Sequence, residues 1–379
     1  MPCSLTRSGL ACVTLAALAS PAAAQRLRLA TPDATVAEEF SAIRGVRELP
    51  DGRVLVSDYI DQRVVLIDFQ RGTVVARVTK GGGPTEARLP TRLVSLPGDS
   101  TALVDLGNNR LLIIDGLGRP VRTISADKPG MLGLRGMGSD GSLYFAIPAW
   151  ADQAPLPGDS VRLVRWQPRT DRTEMLAVIQ GDRMRSDIRQ PALTPRIPTV
   201  GYAAQDAWVL DNGGVLRIVR AGGYRVETRA AGTAPAVGPS YAYPTRTVSS
   251  ADRAAYVRRF LATSPTSGRD ENGGMGYSPQ PSEAEVAALA KGTQFAERHP
   301  MFSAADVVAA PGGRLWVGHA QEDGQPVLYD VFDQAGKRVN TVELGPDRRV
   351  MGIGRHGVYV VVESESGIQR LERYQPPPA

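Results

Sequence analysis

The chain has 379 residues, of which 42% are hydrophobic and 22% charged, a globular balance that excludes a disordered polymer. Its formal charge of +5 is spread without a Lys/Arg block, which argues against nucleic acid as a partner. The 40 glycines and 29 prolines, set among short apolar runs, point to an all-β fold with many turns.

Residues 1–24 read as a secretory signal peptide. Arg7 precedes an apolar run over 10–19 that is too short to span a bilayer, and Ala22, Ala23 and Ala24 form a small-residue cleavage site before Gln25. The mature chain is therefore expected to begin at Gln25 and to be secreted or periplasmic. Both cysteines, Cys3 and Cys12, lie in this segment, so the mature protein would carry neither a disulfide nor a thiolate metal site. No later run is apolar enough for a transmembrane segment.

Two segments then align without a gap at a spacing of 47 residues: Leu49, Pro50, Asp58, Arg63 and Asp68 match Leu96, Pro97, Asp105, Arg110 and Asp115. The first unit predicts strands near 43–49, 54–58, 63–69 and 74–79, with turns at Asp51-Gly52 and Arg71-Gly72. A repeated four-stranded unit of this length is the signature of a propeller blade, and a blade cannot bury both faces alone. Diverged units follow at 140–179, 207–227, 311–342 and 354–374, making six. The fourth is read with 207–211, 215–219 and 224–227 as its second to fourth strands. The sixth stops after three strands at Pro376, so the alternating segment 26–30 is expected to supply the missing strand and close the ring.

Residues 231–302 interrupt this rhythm between units four and five. A helix is predicted from Ser249, with Asp252 three residues on. A second begins at a Ser282/Glu285 capping box and carries the stripe Val286, Leu289, Ala290 and Thr293. The Gly/Pro/Ser-rich link over 264–281 separates them. Topology puts this insertion on the face that carries each blade's second turn, where it is either a lid over one mouth of the channel or a packing elaboration.

One position per blade, counted from the inner turn, recurs on that face: Asp58, Asp105, Ile147, Asp211, His319 and Glu363. As a rim they would bind a cationic or polyhydroxy ligand. Neighbours would sit on the order of 12 Å apart, too far to share one calcium ion. Alternatively each Asp caps its own hairpin and pairs with the Arg five residues on. Of the three histidines, His319 is the catalytic candidate, as an imidazole beside the channel mouth. The glycines at 352, 354 and 357 match a dinucleotide fingerprint, but a strand follows where a helix is needed, and Ser125/Lys128 lie at a strand end rather than on a helix. Trp166, Trp208 and Trp316 are expected between blades, and Trp150 in an exposed loop.

Asp105, Asn108 and Arg110 resemble the "D-x-x-N-x-R-V" signature of the NHL and TolB-like six-bladed propellers, above all their secreted bacterial members. Residues 80–86 resemble the "G-x-G-P-G-E-F" link of that group, with Thr85 and Ala87 as departures, and residues 313–317 resemble its "G-x-L-W-V" strand. The resemblance implies a six-bladed propeller and says little about activity. Related six-bladed enzymes hold a metal with inner-strand Glu, Asn, Asp or His. The inner strands here offer Arg44, Arg47, Glu48, Arg92 and Arg135, a basic set suited to an anionic or carbonyl-bearing ligand. The expectation is an exported monomeric propeller, without metal or cofactor, binding a small ligand or an envelope protein at one channel mouth. A channel-mouth hydrolase, lactonase or lyase is the alternative, and an envelope scaffold a third.

Overall fold

The computed structural model describes residues 25–148, 160–181, 200–211, 214–230, 233–263, 265–269, 275–277, 282–320 and 324–377. The expected signal segment with Cys3 and Cys12, Trp150, and most of the link over 264–281 lie outside them. The protein is a six-bladed β-propeller. The inner strands are Ile43–Glu48, Pro90–Ser95, Gly136–Met137, Ala207–Leu210, Phe302–Ala310 and Arg348–Ile353, each the first strand of an antiparallel sheet. They pack against one another in sequence around the axis, and the sixth returns to the first. Between blades three and four, a Cβ on Gly136 would stand 2.4 Å from the Leu210 side chain, so only glycine allows that approach.

Burial follows the pattern of the sequence. The second strands Val54–Asp58 and Thr101–Asp105 are buried at every residue, because both faces of a blade are covered by its neighbours. Trp208 and Trp316 are buried as expected.

Blade four departs from the predicted register by one strand. Ala207–Leu210 is its inner strand, followed by Leu216–Arg220, Arg225–Arg229 and Ala236–Val237. The turn from Asp211 to Gly214, closed by the Gly214 N–H donating to the Asp211 carbonyl, stands where Leu49 to Gly52 stand in blade one. Asp211 therefore lies on the face opposite to Asp58, and Arg220 holds the equivalent of Asp58.

Ring closure also differs in detail. Residues 26–30 do not complete blade six. Gln25–Arg28 instead adds a parallel strand to the outer edge of blade five, against Arg338–Leu344. The fourth strand of blade six is Ala34–Thr35, antiparallel to Gln369–Tyr374, with Phe40 bridging Gln369. The alternation at 26–30 suits any exposed edge and does not say which one. Phe40 is 2% exposed and belongs to the core shared by the first and last blades, so the two ends do meet.

Two helices separate the outer strand of blade four from the inner strand of blade five: α1 (Ser250–Thr263) and α2 (Glu283–Gly292). Ser249 and Asp252 cap α1 reciprocally, and Ser282 and Glu285 form the capping box of α2. The helices meet through Arg258 and Glu283, and each buries one valine, Val257 and Val286. Within the link, Pro265–Arg269 pairs antiparallel with Met275–Tyr277.

Candidate functional site

A cavity of about 550 Å³ opens at the insertion-side mouth. Three elements far apart in sequence wall it: the segment from Val200 to Gln205 before blade four, the α1 face bearing Tyr256, Arg259 and Phe260, and the run from His299 to Asp306 that becomes the inner strand of blade five. Tyr202 is the hub, with ring centroids 5.0 Å from Tyr256 and 4.3 Å from His299. Its hydroxyl donates to the Asp252 carbonyl at the start of α1. Aromatic faces thus meet charged and polar groups in one concavity, the ordinary make-up of a small-molecule site.

The insertion is fastened at its base. The Arg246 guanidinium donates two 2.7 Å hydrogen bonds to the Asp252 carboxylate, and the His299 Nε2 stands 3.3 Å from the same group. The Arg246 bonds, with those from Ser249 and with the nearby His299 ring, hold the Asp252 carboxyl far below the usual carboxylate range despite its partial burial. The His299 N–H donates to the Arg246 carbonyl, and Val248 to that of Glu297. These bonds fix α1 over the cavity.

The rim acids stand apart from this cavity and from each other. Asp58 is fully buried and accepts from the N–H groups of Ser41, Ala42 and Asp61, with Arg63 3.9 Å away. Burial, then the Asp61 charge, pushes its carboxyl up. Asp105 is equally buried and accepts from the Arg88 N–H, the Asn108 amide and the Arg110 Nε, each at 2.8 Å. Both anchor the incoming chain to their blade. Blade four exchanges the charges: Arg220 on the second strand pairs at 2.8 Å with Asp206, which also accepts from the N–H groups of Gln180 and Ala221. Asp211 caps its own turn by accepting from the Val215 N–H. Glu363 is exposed and accepts from the Gln369 amide, whose oxygen accepts from the Ile43 N–H.

His319 is buried rather than open to the mouth. Its Nδ1 is 2.8 Å from the Tyr243 hydroxyl, and its Nε2 is 3.0 Å from the Asp330 carboxylate, off the line of a straight hydrogen bond. Asp330 also accepts from Tyr224 and Thr341 at 2.8 Å. Burial pushes the Asp330 carboxyl up, but these donors outweigh it and leave it below its ordinary range. The group ties blade four to blade five. The histidine that reaches the cavity is His299, which sequence reasoning passed over because it sits at the insertion's end; His-Pro before a strand was its only sign.

The basic inner-strand set divides. Arg47 turns to the opposite face, where it donates to Thr101 and Ser95 in blade two; burial pulls it down to about 10, against the pull of Asp99. Glu48, beside it, accepts from the Arg355 and His356 N–H groups and the Tyr359 hydroxyl, closing the turn that carries the dinucleotide-like glycines. Arg44 lies over the Tyr59 ring at 5.6 Å. Arg349, which the sequence reading did not single out, pairs with Asp306 at the cavity floor and donates to the Ala305 carbonyl. Arg92 and Arg135 have no carboxylate partner among the described residues; Arg135 lies 5.7 Å over the Trp208 ring. Among the described residues, no three His, Cys, Asp or Glu side chains gather as a metal site would need, and no helix is long and apolar enough to cross a membrane.

This is a six-bladed propeller with a helix-roofed cavity at one mouth. Its fold resembles that of a Bacteroides fragilis protein described as exported, with a TM-score of 0.50 and 11% identity over 93% of this chain and 99% of that one. Further likenesses are to a Xanthomonas campestris gluconolactonase (TM-score 0.42, 11% identity, 90% and 91% covered) and a Staphylococcus aureus virginiamycin B lyase (TM-score 0.41, 12% identity, 89% and 97% covered). No protein-family model and no curated relative matches the chain.

Proposed function

We propose that the chain is an exported propeller of the NHL and TolB-like kind, acting as a monomer from Gln25 onward and binding a small ligand in the cavity beneath α1. The cavity itself carries this reading: about 550 Å³ is the size of a drug-like molecule, and aromatic walls beside a few charged groups suit selective binding. The insertion then serves as a wall fastened by Arg246, Asp252 and His299 rather than as decoration.

The test is Ser303→Trp, which fills the cavity from the inner strand of blade five. Fragments found by ligand-observed NMR on the unaltered protein should compete with one another and lose binding in this variant. Fragments that bind the filled protein equally well, or none at all from a broad library, would count against the cavity.

His299 favours a second reading, an acid–base enzyme, because its ring lines the cavity beside a carboxylate that could orient it. Turnover of lactone or ester substrates that disappears in His299→Gln, with ligand binding kept, would support it.

A further inference from the structure

We propose that the channel wall at blades two and three is an oxyanion site, in which Arg92 and Arg135 together hold a carboxylate or phosphate group. The inference deepens the ligand-binding reading above by naming the chemistry of one end of the ligand.

It starts from backbone geometry. The inner strands of blades one and two carry a register shift at corresponding places, between Ile43 and Gly45 and between Pro90 and Leu93. An inner strand has neighbouring blades on both faces and the channel along its free edge. The extra residue of a bulge leaves the pleat and can be re-aimed toward that edge. Arg44 and Arg92 occupy these bulges. Arg135 precedes Gly136 on the next inner strand and donates its N–H to the Tyr144 carbonyl. Its guanidinium rests over Trp208 of blade four.

The charge balance then separates these arginines from the others. Arg349 is neutralised by Asp306, and Arg47 is consumed by the hairpin of blade two. Arg92 and Arg135 stand on adjacent inner strands, Arg92 half-buried and Arg135 exposed, each without a carboxylate among the described residues, and the Arg92 charge acts on Arg135. Arg135 is open to solvent and Arg92 is half-covered, so an anion can reach both. Two like charges on adjacent strands repel each other unless an anion bridges them, and guanidiniums match planar carboxylates and phosphates bidentately. A strand position that costs stability in the empty protein is the mark of a site kept for a ligand.

The experiment is thermal unfolding of the protein and of Arg92→Gln, with sodium phosphate in one arm and sodium malonate in the other, at ionic strength matched by chloride. Phosphate strengthens burial in any protein, so the difference between the two proteins is what is read. In chloride alone Arg92→Gln should melt higher, because the repulsion is relieved. At about a hundred times Kd the unaltered protein should show a saturable rise of about 3–5 °C that the variant lacks. The arm that responds at lower concentration identifies the group. An equal response in both proteins, or a variant that melts lower in chloride and responds normally, overturns the assignment. Should Arg92→Gln not fold, the same comparison with Arg135→Gln decides. If fragments bind the cavity while neither anion separates the two proteins, only the anion site falls. If anions bind but fragments do not, the cavity reading falls instead.

Discussion

Replacing Asp105 by Asn separates a structural acid from a ligand-binding one. The side chain is fully buried and accepts three 2.8 Å hydrogen bonds: from the Arg88 N–H, which anchors the chain entering blade two, from Asn108, and from the Arg110 Nε. Asparagine keeps the shape but loses the charge and one acceptor. Hydrogen bonds to charged groups contribute about 1.5–3 kcal/mol each, and breaking a buried pair costs about 3–5. Arg110 keeps its bonds to the Gly83 and Glu86 carbonyls, which places the loss at the lower end, about 2–4 kcal/mol. For a chain this long the unfolding midpoint falls by roughly 2 °C per kcal/mol, so calorimetry should read a drop of about 4–8 °C. Arg110→Met in the Asp105→Asn background should cost less than the sum of the two single changes, because both ends of the pair are gone. A midpoint within about 1 °C of the unaltered protein, outside the loss any buried network should show, would refute the structural role and return Asp105 to the rim as a ligand group.

His319→Gln should destabilise by about 2–3 kcal/mol in urea unfolding, since it strips a partner from the buried Asp330, while fragment binding in the cavity is retained. Gly45→Ala should cost about 1–3 kcal/mol, because the new Cβ would stand 2.8 Å from the Leu93 nitrogen and 2.9 Å from the Thr91 carbonyl, both backbone. Phe40→Ala should lose about 3–5 kcal/mol and open the ring, whereas removal of residues 25–29 should peel only the strand added to blade five; hydrogen exchange over 369–374 distinguishes the two. Asp252 and Asp330 both titrate below the unfolded value of about 3.9. Their contribution is therefore complete above that pH and is lost as pH falls through the lower folded values, so the gap in urea midpoint between the unaltered protein and Asp252→Asn or Asp330→Asn should close only in stronger acid.

The blade count was legible because Pro50 and Pro97 mark the same turn and the same intervals follow to Asp58 and Asp105. Blade four misled because Asp211 follows a strand of the right length and copies the sequence context of a second-strand acid. The better marker was the turn glycine: Gly214 precedes Arg220 by six residues, as Gly52 precedes Asp58. Arg220 also shows why residue type alone failed. The ion pair survives in blade four with its partners exchanged, the carboxylate moved to Asp206 on the incoming chain. A search for acids finds a gap there, although the physical device is intact. The cavity was out of reach for another reason. Tyr202, Phe260 and His299 lie in segments brought together by tertiary contacts, among them the parallel pairing of Val200–Gly201 with Gln294–Phe295, and no spacing in the chain announces their meeting. What could be read was the insertion's side, since a link from an outer strand to the next inner strand must cross on the face of the second turns.

The ring order gives the charges a direction. In a six-membered circle blade two faces blade five and blade three faces blade six. Arg92 and Arg135, which have no carboxylate partner among the described residues, therefore stand across the channel from Asp306 and Arg349, the pair at the cavity floor. One wall is cationic; on the other, Arg349 is paired with Asp306 and α1 sets Arg259 beside the aromatic rings. An elongated ligand with an acidic end and an apolar or aromatic end would be oriented by this difference alone, its acid toward blades two and three and its remainder against Tyr256 and Phe260. Reversing the ligand would leave Arg92 and Arg135 unmatched, which disfavours that orientation. Exchanging the polarity, with Arg92→Glu on one wall and Asp306→Asn on the other, should weaken an acidic fragment far more than its amide. Equal loss of the acid and the amide would show that the two walls do not act on one ligand.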